Sequence, residues 1–306
     1  MVPFQKKSDG VIILSVSSTI PQVQPLSVGE ALDQLTAAMA TREAARNAAE
    51  WLVAALLGCP RLDVSQRLSD LLPLEQQRQL ISWRERAAAH EPIQYILGET
   101  EFMGMPIKCD ARALIPRPET EQLVEQVLAD PLLGIISEPH LVDVGTGTGC
   151  IALALAQRLP TAQILAIDAS ADALTLAQEN VERQSCAGQV TLQQGDLLDH
   201  VPSGMAHLIV ANLPYISSSD CEQLPPEVRE HEPLQALDGG MTGREMIERL
   251  VAQAIDALQA GGALYLEVGA GQAQDVASVL RDHQYQAVAM MEDYAGKDRF
   301  VKGYRP

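Results

Sequence analysis

One stretch limits what this chain can fold into more than any other: Asp143-Val144-Gly145-Thr146-Gly147-Thr148-Gly149-Cys150. It follows a short apolar run, His140–Val144, that reads as a strand. It opens onto Cys150–Arg158, whose apolar residues recur at helical spacing. Glycines at a strand-to-helix junction let the backbone turn tightly and let a ligand approach the main chain. A dinucleotide enzyme would carry G-x-G-x-x-G, with the helix N-terminus facing a pyrophosphate. The spacing here is G-x-G-x-G, and Asp143 stands two residues ahead of the first glycine. A carboxylate beside the loop repels pyrophosphate but favours an ammonium or sulfonium group. Gly145, Thr146, Gly147, Thr148 and Gly149 are therefore the candidate cradle for S-adenosylmethionine rather than for a nicotinamide dinucleotide. A purely structural tight turn is the competing reading.

The surrounding chain repeats the β-α alternation. Gln163–Ile167 reads as a strand ending at Asp168, with a helix across Ala171–Gln184. Val190–Gln193 and His207–Val210 read as further strands, Ile247–Leu258 as a helix, and Ala263–Val268 as a strand after a turn at Gly261-Gly262. Gln286–Met291 and Arg299–Gly303 look like an antiparallel pair. Such repetition predicts an α/β fold: a mostly parallel sheet with helices on both faces and an antiparallel hairpin at its end.

The N-terminal third has another texture. Residues 26–91 are rich in Ala, Leu, Gln, Arg and Glu and poor in Gly, with Leu32, Leu35, Met39, Leu52 and Leu56 at helical spacing. They predict a small helical domain, with Trp51 and Trp83 as core anchors. Residues 92–113 contain two short strand-like pieces, Gln94–Gly98 and Glu101–Ile107, expected to form a β-hairpin linker. The main domain is expected over residues 114–306. Residues 1–25, punctuated by Pro21 and Pro25, read as a flexible leader; polar Ser15, Ser17 and Ser18 interrupt the one apolar run that imitates a signal peptide.

Composition narrows the partners. With 40 acidic against 22 basic residues the net charge is −18, so stable binding to nucleic acid, which depends on Lys and Arg displacing counterions, is not expected. The five cysteines are scattered, odd in number and without a C-x-x-C pair. That argues against a zinc site or a disulfide framework and for a reducing, cytoplasmic compartment. No apolar run reaches the length of a membrane span. A monomer is expected.

Three further positions bear on chemistry. Asp168, at the end of the second strand of the unit, can accept from both ribose hydroxyls of an adenosyl ligand, or it can cap the next helix. Asp196 in Gly195-Asp196-Leu197 can accept from an adenine amino group while Leu197 packs on the ring; Gly-Asp is also ordinary turn chemistry. Asn212-Leu213-Pro214-Tyr215 follows the fourth strand, at the carboxyl edge where such sheets bind ligands. An amide or exocyclic amine nitrogen is a poor nucleophile because its lone pair is delocalised. A site that methylates it must hold its plane and stabilise the positive charge that develops on nitrogen. Two acceptors aimed at its two N–H bonds do both. Asn212 offers a side-chain oxygen, next to both cofactor and substrate, and Leu213 offers a backbone carbonyl. Pro214 stiffens the loop and Tyr215 can pack on the flat group. No general base is needed, because the charged product nitrogen is strongly acidic.

At this point the chain resembles the release-factor glutamine methyltransferases. The resemblance spans roughly residues 26–305. It is carried by Pro92–Gly98, Glu101-Phe102, Ile115-Pro116-Arg117-Pro118-Glu119-Thr120-Glu121, Glu232-Pro233 through Ala236-Leu237, Gly239-Gly240, Glu267-Val268-Gly269 and Gly296–Arg299. It implies a Rossmann-like class I methyltransferase sheet behind a helical substrate-recognition domain. It also implies methyl transfer from S-adenosyl-L-methionine to the glutamine of the Gly-Gly-Gln loop in peptide chain release factors. Two positions depart from the family: Leu213 stands where Pro is usual, and Thr242 where Asp is usual. The carbonyl survives at 213, so Leu213→Pro is expected to be mild or beneficial. Ribosomal-RNA adenine methyltransferases also carry Asn-Leu-Pro-Tyr and are the nearest rival. A noncatalytic adapter that binds release factor is the second; net charge opposes the first and the intact glycine loop the second.

Overall fold

The computed structural model describes residues 25–306; apart from Pro25, the expected leader lies outside them. The chain begins with α1 (Val28–Ala38), α2 (Ala45–Leu57), α3 (Leu74–Ala88) and α4 (Ile93–Leu97). The first helix starts where it does because Ser27 and Glu30 cap each other. Ser27 Oγ accepts the Glu30 N–H at 3.2 Å, and Glu30 Oε2 accepts the Ser27 N–H at 2.8 Å. Leu32, Leu35, Leu52, Leu80 and Trp83 meet in one apolar core. Trp51 does not join them: it is 49% exposed, with the Arg61 guanidinium 5.4 Å over its ring.

Gln94–Leu97, expected as a strand, is helical. Pro92 pre-sets the entry, Ile96 N–H donates to Pro92 O at 3.0 Å, and Gly98 ends the turn in the left-handed region. Arg86 then satisfies the exposed carbonyls of Tyr95 and Ile96, at 2.9 and 3.3 Å. The hairpin lies just beyond, as β1 (Glu99–Phe102) and β2 (Met105–Lys108). Its two-residue turn, Met103-Gly104, has φ of 51° and 79°, the geometry that matches strand twist.

A helix for which the sequence raised no expectation follows, α5 (Pro118–Leu128), with Pro118 in its first turn and Leu123, Val124 and Val127 buried. The repeating unit then runs β3 (His140–Val144), α6 (Cys150–Arg158), β4 (Gln163–Asp168), α7 (Ala171–Arg183), β5 (Val190–Gln194) and β6 (Ala206–Asn212). Two short helices, α8 (Ser218–Cys221) and α9 (Pro226–Arg229), precede α10 (Glu245–Ala257), β7 (Leu258–Glu267), α11 (Ala273–Asp282), β8 (Gln286–Glu292) and β9 (Asp298–Tyr304). Instead of a turn, Gly261-Gly262 lies inside β7, where the register against β6 shifts between the pairs Ala206–Leu258 and Leu208–Ala263.

The seven strands stand in the order β5-β4-β3-β6-β7-β9-β8. The first five are parallel; β9 pairs antiparallel with both β7 and β8. Alternate residues feed two cores. Leu141, Tyr265 and Phe300 pack with Leu123 of α5 and Leu155 of α6. Val142, Ile209 and Leu264 pack with Val251 of α10 and Val276 of α11. From β3 the chain builds outward through β4 and β5, then returns to the other side of β3 with β6. That reversal opens a crevice at the carboxyl edge of β3 and β6.

Candidate active site

Gly145–Thr148, Asp168, Asp196, Leu197, Asn212, Leu213 and Pro214 line a single cleft in that crevice. The rest of its lining includes the stretch Ala113–Arg117, with Pro233, Ala236 and Met246. Two expected residues stand outside the lining. Gly149 is the N-cap of α6, left-handed at φ 82°. Tyr215 stands with its ring against Gly269 and its hydroxyl on Glu267 Oε1 at 3.3 Å. It is committed to the support of the loop, and its burial raises its pKa.

The glycine loop is held from beneath. Gly145 and Thr146 N–H donate to Ile167 O at 2.8 and 2.9 Å. The Thr146 hydroxyl donates to Asp143 Oδ2 at 2.6 Å, and that oxygen also accepts the Ala152 N–H at 3.2 Å, inside the first turn of α6. Asp143, expected beside the loop, does not line the cleft. It is fully buried under the loop, and burial pushes its pKa up to about 7. Gly145 has φ of +73°, a conformation that favours glycine, and a Cβ there would stand 2.9 Å from Leu213 Cδ2, so the glycine loop packs closely on the Asn212 loop.

The donor and acceptor set suits an adenosyl sulfonium ligand. Thr148 lines the cleft, is buried, and its hydroxyl has no protein partner; buried hydroxyls normally have one. Asp168 Oδ2 accepts the Gly147 N–H at 2.8 Å and Oδ1 the Ser170 N–H at 2.9 Å. Helix α7 is capped by Ser170, whose Oγ accepts the Ala173 N–H. Asp168 thus braces the loop and is not the cap, and its remaining lone pairs are available to hydroxyls. Asp196 shares an ion pair with Arg249 at 2.7 Å. Leu197 is nearly buried at a φ of 53°, a conformation that leucine seldom adopts and that surrounding structure must enforce.

Around Asn212 the hydrogen bonds run in one direction. Asn212 Nδ2 donates to Thr120 Oγ1 at 2.9 Å, and the Thr120 hydroxyl donates to Glu267 Oε2 at 2.8 Å. Among the described residues no hydrogen bond falls on Asn212 Oδ1 or on the Leu213 carbonyl. Burial pushes the Glu267 carboxyl up to about 7. A strap buttresses the loop from outside: Ile216 N–H donates to Leu237 O at 3.1 Å and Gly239 N–H to Ile216 O at 2.8 Å. A Cβ on Gly239 would come within 2.5 Å of Pro214 O. Glu232, buried, ties the strap to the Ala113–Arg117 stretch by accepting the Ile115 N–H at 3.2 Å and pairing with Arg117. Sequence reasoning assigned no role to Thr120, Glu232 or Glu267. Their only signal was membership of motifs that the local chemistry did not explain.

The comparisons with known proteins cover both parts of the chain. A family described as "PrmC N-terminal domain" matches residues 30–98, and "Methyltransferase small domain" matches residues 120–224. The release factor glutamine methyltransferase of Moorella thermoacetica is 40% identical over 286 residues, 91% of this chain and 97% of that protein. The enzyme of the same name from Gloeobacter violaceus is 39% identical over 258 residues, covering 83% of this chain and 89% of its own. In fold alone, the hMettl16 catalytic domain, solved in complex with the MAT2A 3'UTR hairpin 6, is similar at a TM-score of 0.54 and 16% identity, over 72% of this chain and 82% of that one.

Proposed function

This chain belongs to the release factor glutamine methyltransferase family, and we propose that its Asn212–Tyr215 loop holds the side-chain amide of the Gly-Gly-Gln glutamine of a peptide chain release factor for methylation at nitrogen. The protein is an S-adenosylmethionine-dependent methyltransferase of Rossmann-like class I fold whose substrates are release factors. The observation that carries the assignment of the loop is the direction of its hydrogen bonds. Because Asn212 Nδ2 is spent on Thr120, Asn212 Oδ1 and the Leu213 carbonyl are two acceptors on one short loop at the cleft.

S-adenosylmethionine supplies an electrophilic methyl on a sulfonium. Gly145–Gly149 would pass its methionyl end over the loop, Asp168 would accept from the ribose hydroxyls, and Asp196 and Leu197 would receive the adenine. Asn212, at the seam, would touch both ligands. Asn212 Oδ1 and Leu213 O would take the two N–H bonds of the glutamine amide and fix its plane toward the methyl. Both acceptors are partial negative charges, so their attraction grows as the nitrogen becomes cationic, which lowers the barrier. Pro214 keeps the loop stiff. Tyr215 enters as a support through Glu267.

Residues 26–91 would serve as the substrate-recognition domain, 92–113 as the linker and 114–306 as the methyltransferase domain. The net charge of −18 supports a protein substrate and argues against stable nucleic-acid binding. No helix among the described residues is long and apolar enough to cross a membrane. We place the protein in the cytoplasm, as a monomer acting on release factor. The test is direct: incubate the chain with labelled S-adenosylmethionine and a release factor, then locate the methyl by mass spectrometry. Label on the Gly-Gly-Gln glutamine is the expected result; label elsewhere, or on RNA alone, refutes the reading.

A further inference from the structure

We propose that Thr120 and Glu267 are positioning residues for methyl transfer: together they set the polarity of the chain Asn212–Thr120–Glu267 and so keep the oxygen of the Asn212 amide, not its nitrogen, toward the substrate. The proposal rests on the role given to Asn212 above. An asparagine side chain can present either end, and the two ends are nearly the same shape. Presenting Nδ2 would set two donors against the two N–H bonds of the incoming amide, which is repulsive. Something must therefore choose between the ends.

The choice is made two bonds away. A threonine hydroxyl has one hydrogen to give, and here it goes to Glu267 Oε2 at 2.8 Å. Thr120 Oγ1 can then only accept from Asn212, so it selects Nδ2, at 2.9 Å. The carboxylate is what compels this order, because an ionised carboxylate only accepts. Once protonated, Glu267 could donate to Thr120, whose hydrogen would turn to Asn212 and draw Oδ1 away from the cleft. The elements packed round Glu267 bring Thr120 and Glu119 on α5, Tyr215 on the loop and Arg299 on β9. Burial leaves the carboxyl titrating near neutrality, about 7, so both polarities lie within reach of ordinary pH. The transfer chemistry itself needs no titrating base, so an acid limb near 7 would report a buried carboxyl of the site, Glu267 or Asp143, and its loss in Glu267→Gln assigns it to Glu267.

The test uses the full chain, a release factor and labelled S-adenosylmethionine, with kcat and KM followed from about pH 5.5 to 8.5. Thr120→Val keeps the shape and removes the relay; kcat should fall about tenfold or more, with KM for release factor and affinity for cofactor within about twofold. Thr120→Ser should bring kcat back to within about threefold. In wild type kcat should decline as pH falls through about 7, and Glu267→Gln, which can donate or accept, should lower kcat and abolish that limb. The relay is refuted by a Thr120→Val enzyme within about twofold of wild-type kcat, or by equal losses of kcat and cofactor affinity. Superimposable pH profiles for wild type and Glu267→Gln refute it also, and that comparison decides the matter if Thr120→Val does not fold. Asn212→Ala separates the two levels. If it retains turnover, the role of Asn212 fails; if it loses turnover while Thr120→Val does not, only the relay fails.

Discussion

Leu213→Pro brings the loop to the sequence usual in the family, and its effect can be worked from the packing. Sequence reasoning favoured the change, since proline keeps the carbonyl and stiffens the loop. The tertiary structure weighs against it. Leu213 is 3% exposed and belongs to the apolar cluster of Val144, Ile167, Leu197 and Ile247. Its Cδ2 also fills the space left by the missing side chain of Gly145. Fully burying a leucine contributes roughly 1.5–3 kcal/mol. A pyrrolidine ring has one carbon fewer and cannot reach as far, so the lost contacts and the void should cost about 1–3 kcal/mol. Restricting the unfolded chain returns about 0.4–1 kcal/mol. No described hydrogen bond from the Leu213 N–H is lost. The net expectation is destabilisation by about 1.5 kcal/mol, or a fall in Tm of about 3–6 °C for a domain of this size. Turnover should stay within about threefold, because the carbonyl remains. Differential scanning fluorimetry and steady-state methylation of a release factor read the two quantities. A Tm that rises by as much, with faster turnover, would show that loop stiffness outweighs the buried leucine and would refute the packing argument.

Asn212→Ala should leave cofactor affinity nearly unchanged and lower the methyl-transfer rate by roughly a hundredfold to a thousandfold, the usual effect of removing one group that stabilises developing charge; single-turnover kinetics beside calorimetry would check it, and near-normal turnover would end the two-acceptor scheme. Asp168→Ala should weaken S-adenosylmethionine by about 1–3 kcal/mol and also lower Tm, since the Gly147 and Ser170 N–H groups lose their acceptor; unchanged affinity would leave Asp168 as a loop brace only. Burial holds Asp143 at about 7, above the ordinary aspartate value of 3.8. The folded state therefore binds its proton more tightly than the unfolded chain, so this contribution to stability is complete below about pH 4 and is lost as pH rises through about 7. Asp143→Asn should accordingly gain Tm relative to wild type between those limits, and parallel Tm curves would contradict that assignment.

Much of this molecule was legible in one dimension because its signals are local. A strand, a glycine turn and a helix follow one another within Leu141–Leu155, and periodicity alone orders β3 through β7. The Asn212 loop could be found because its chemistry is consecutive. Where signals were short, local reading failed: Gln94–Leu97 is a short apolar run closed by Gly98 that reads as a strand, yet Pro92 and the guanidinium of Arg86 make it a helix. That Asp143 is buried beneath the loop could not be read, because sequence gives a residue's place in the strand but not which face of the loop it supports. What the tertiary structure decided was the direction of polar contacts between distant segments. Thr120, Asn212 and Glu267 come from α5, β6 and β7, and nothing in their spacing says that one hydroxyl joins them. The order of hydrogen bonds in that chain depends on which atoms burial brings within 3 Å of one another, and burial is a property of the packed sheet, not of any one of its strands.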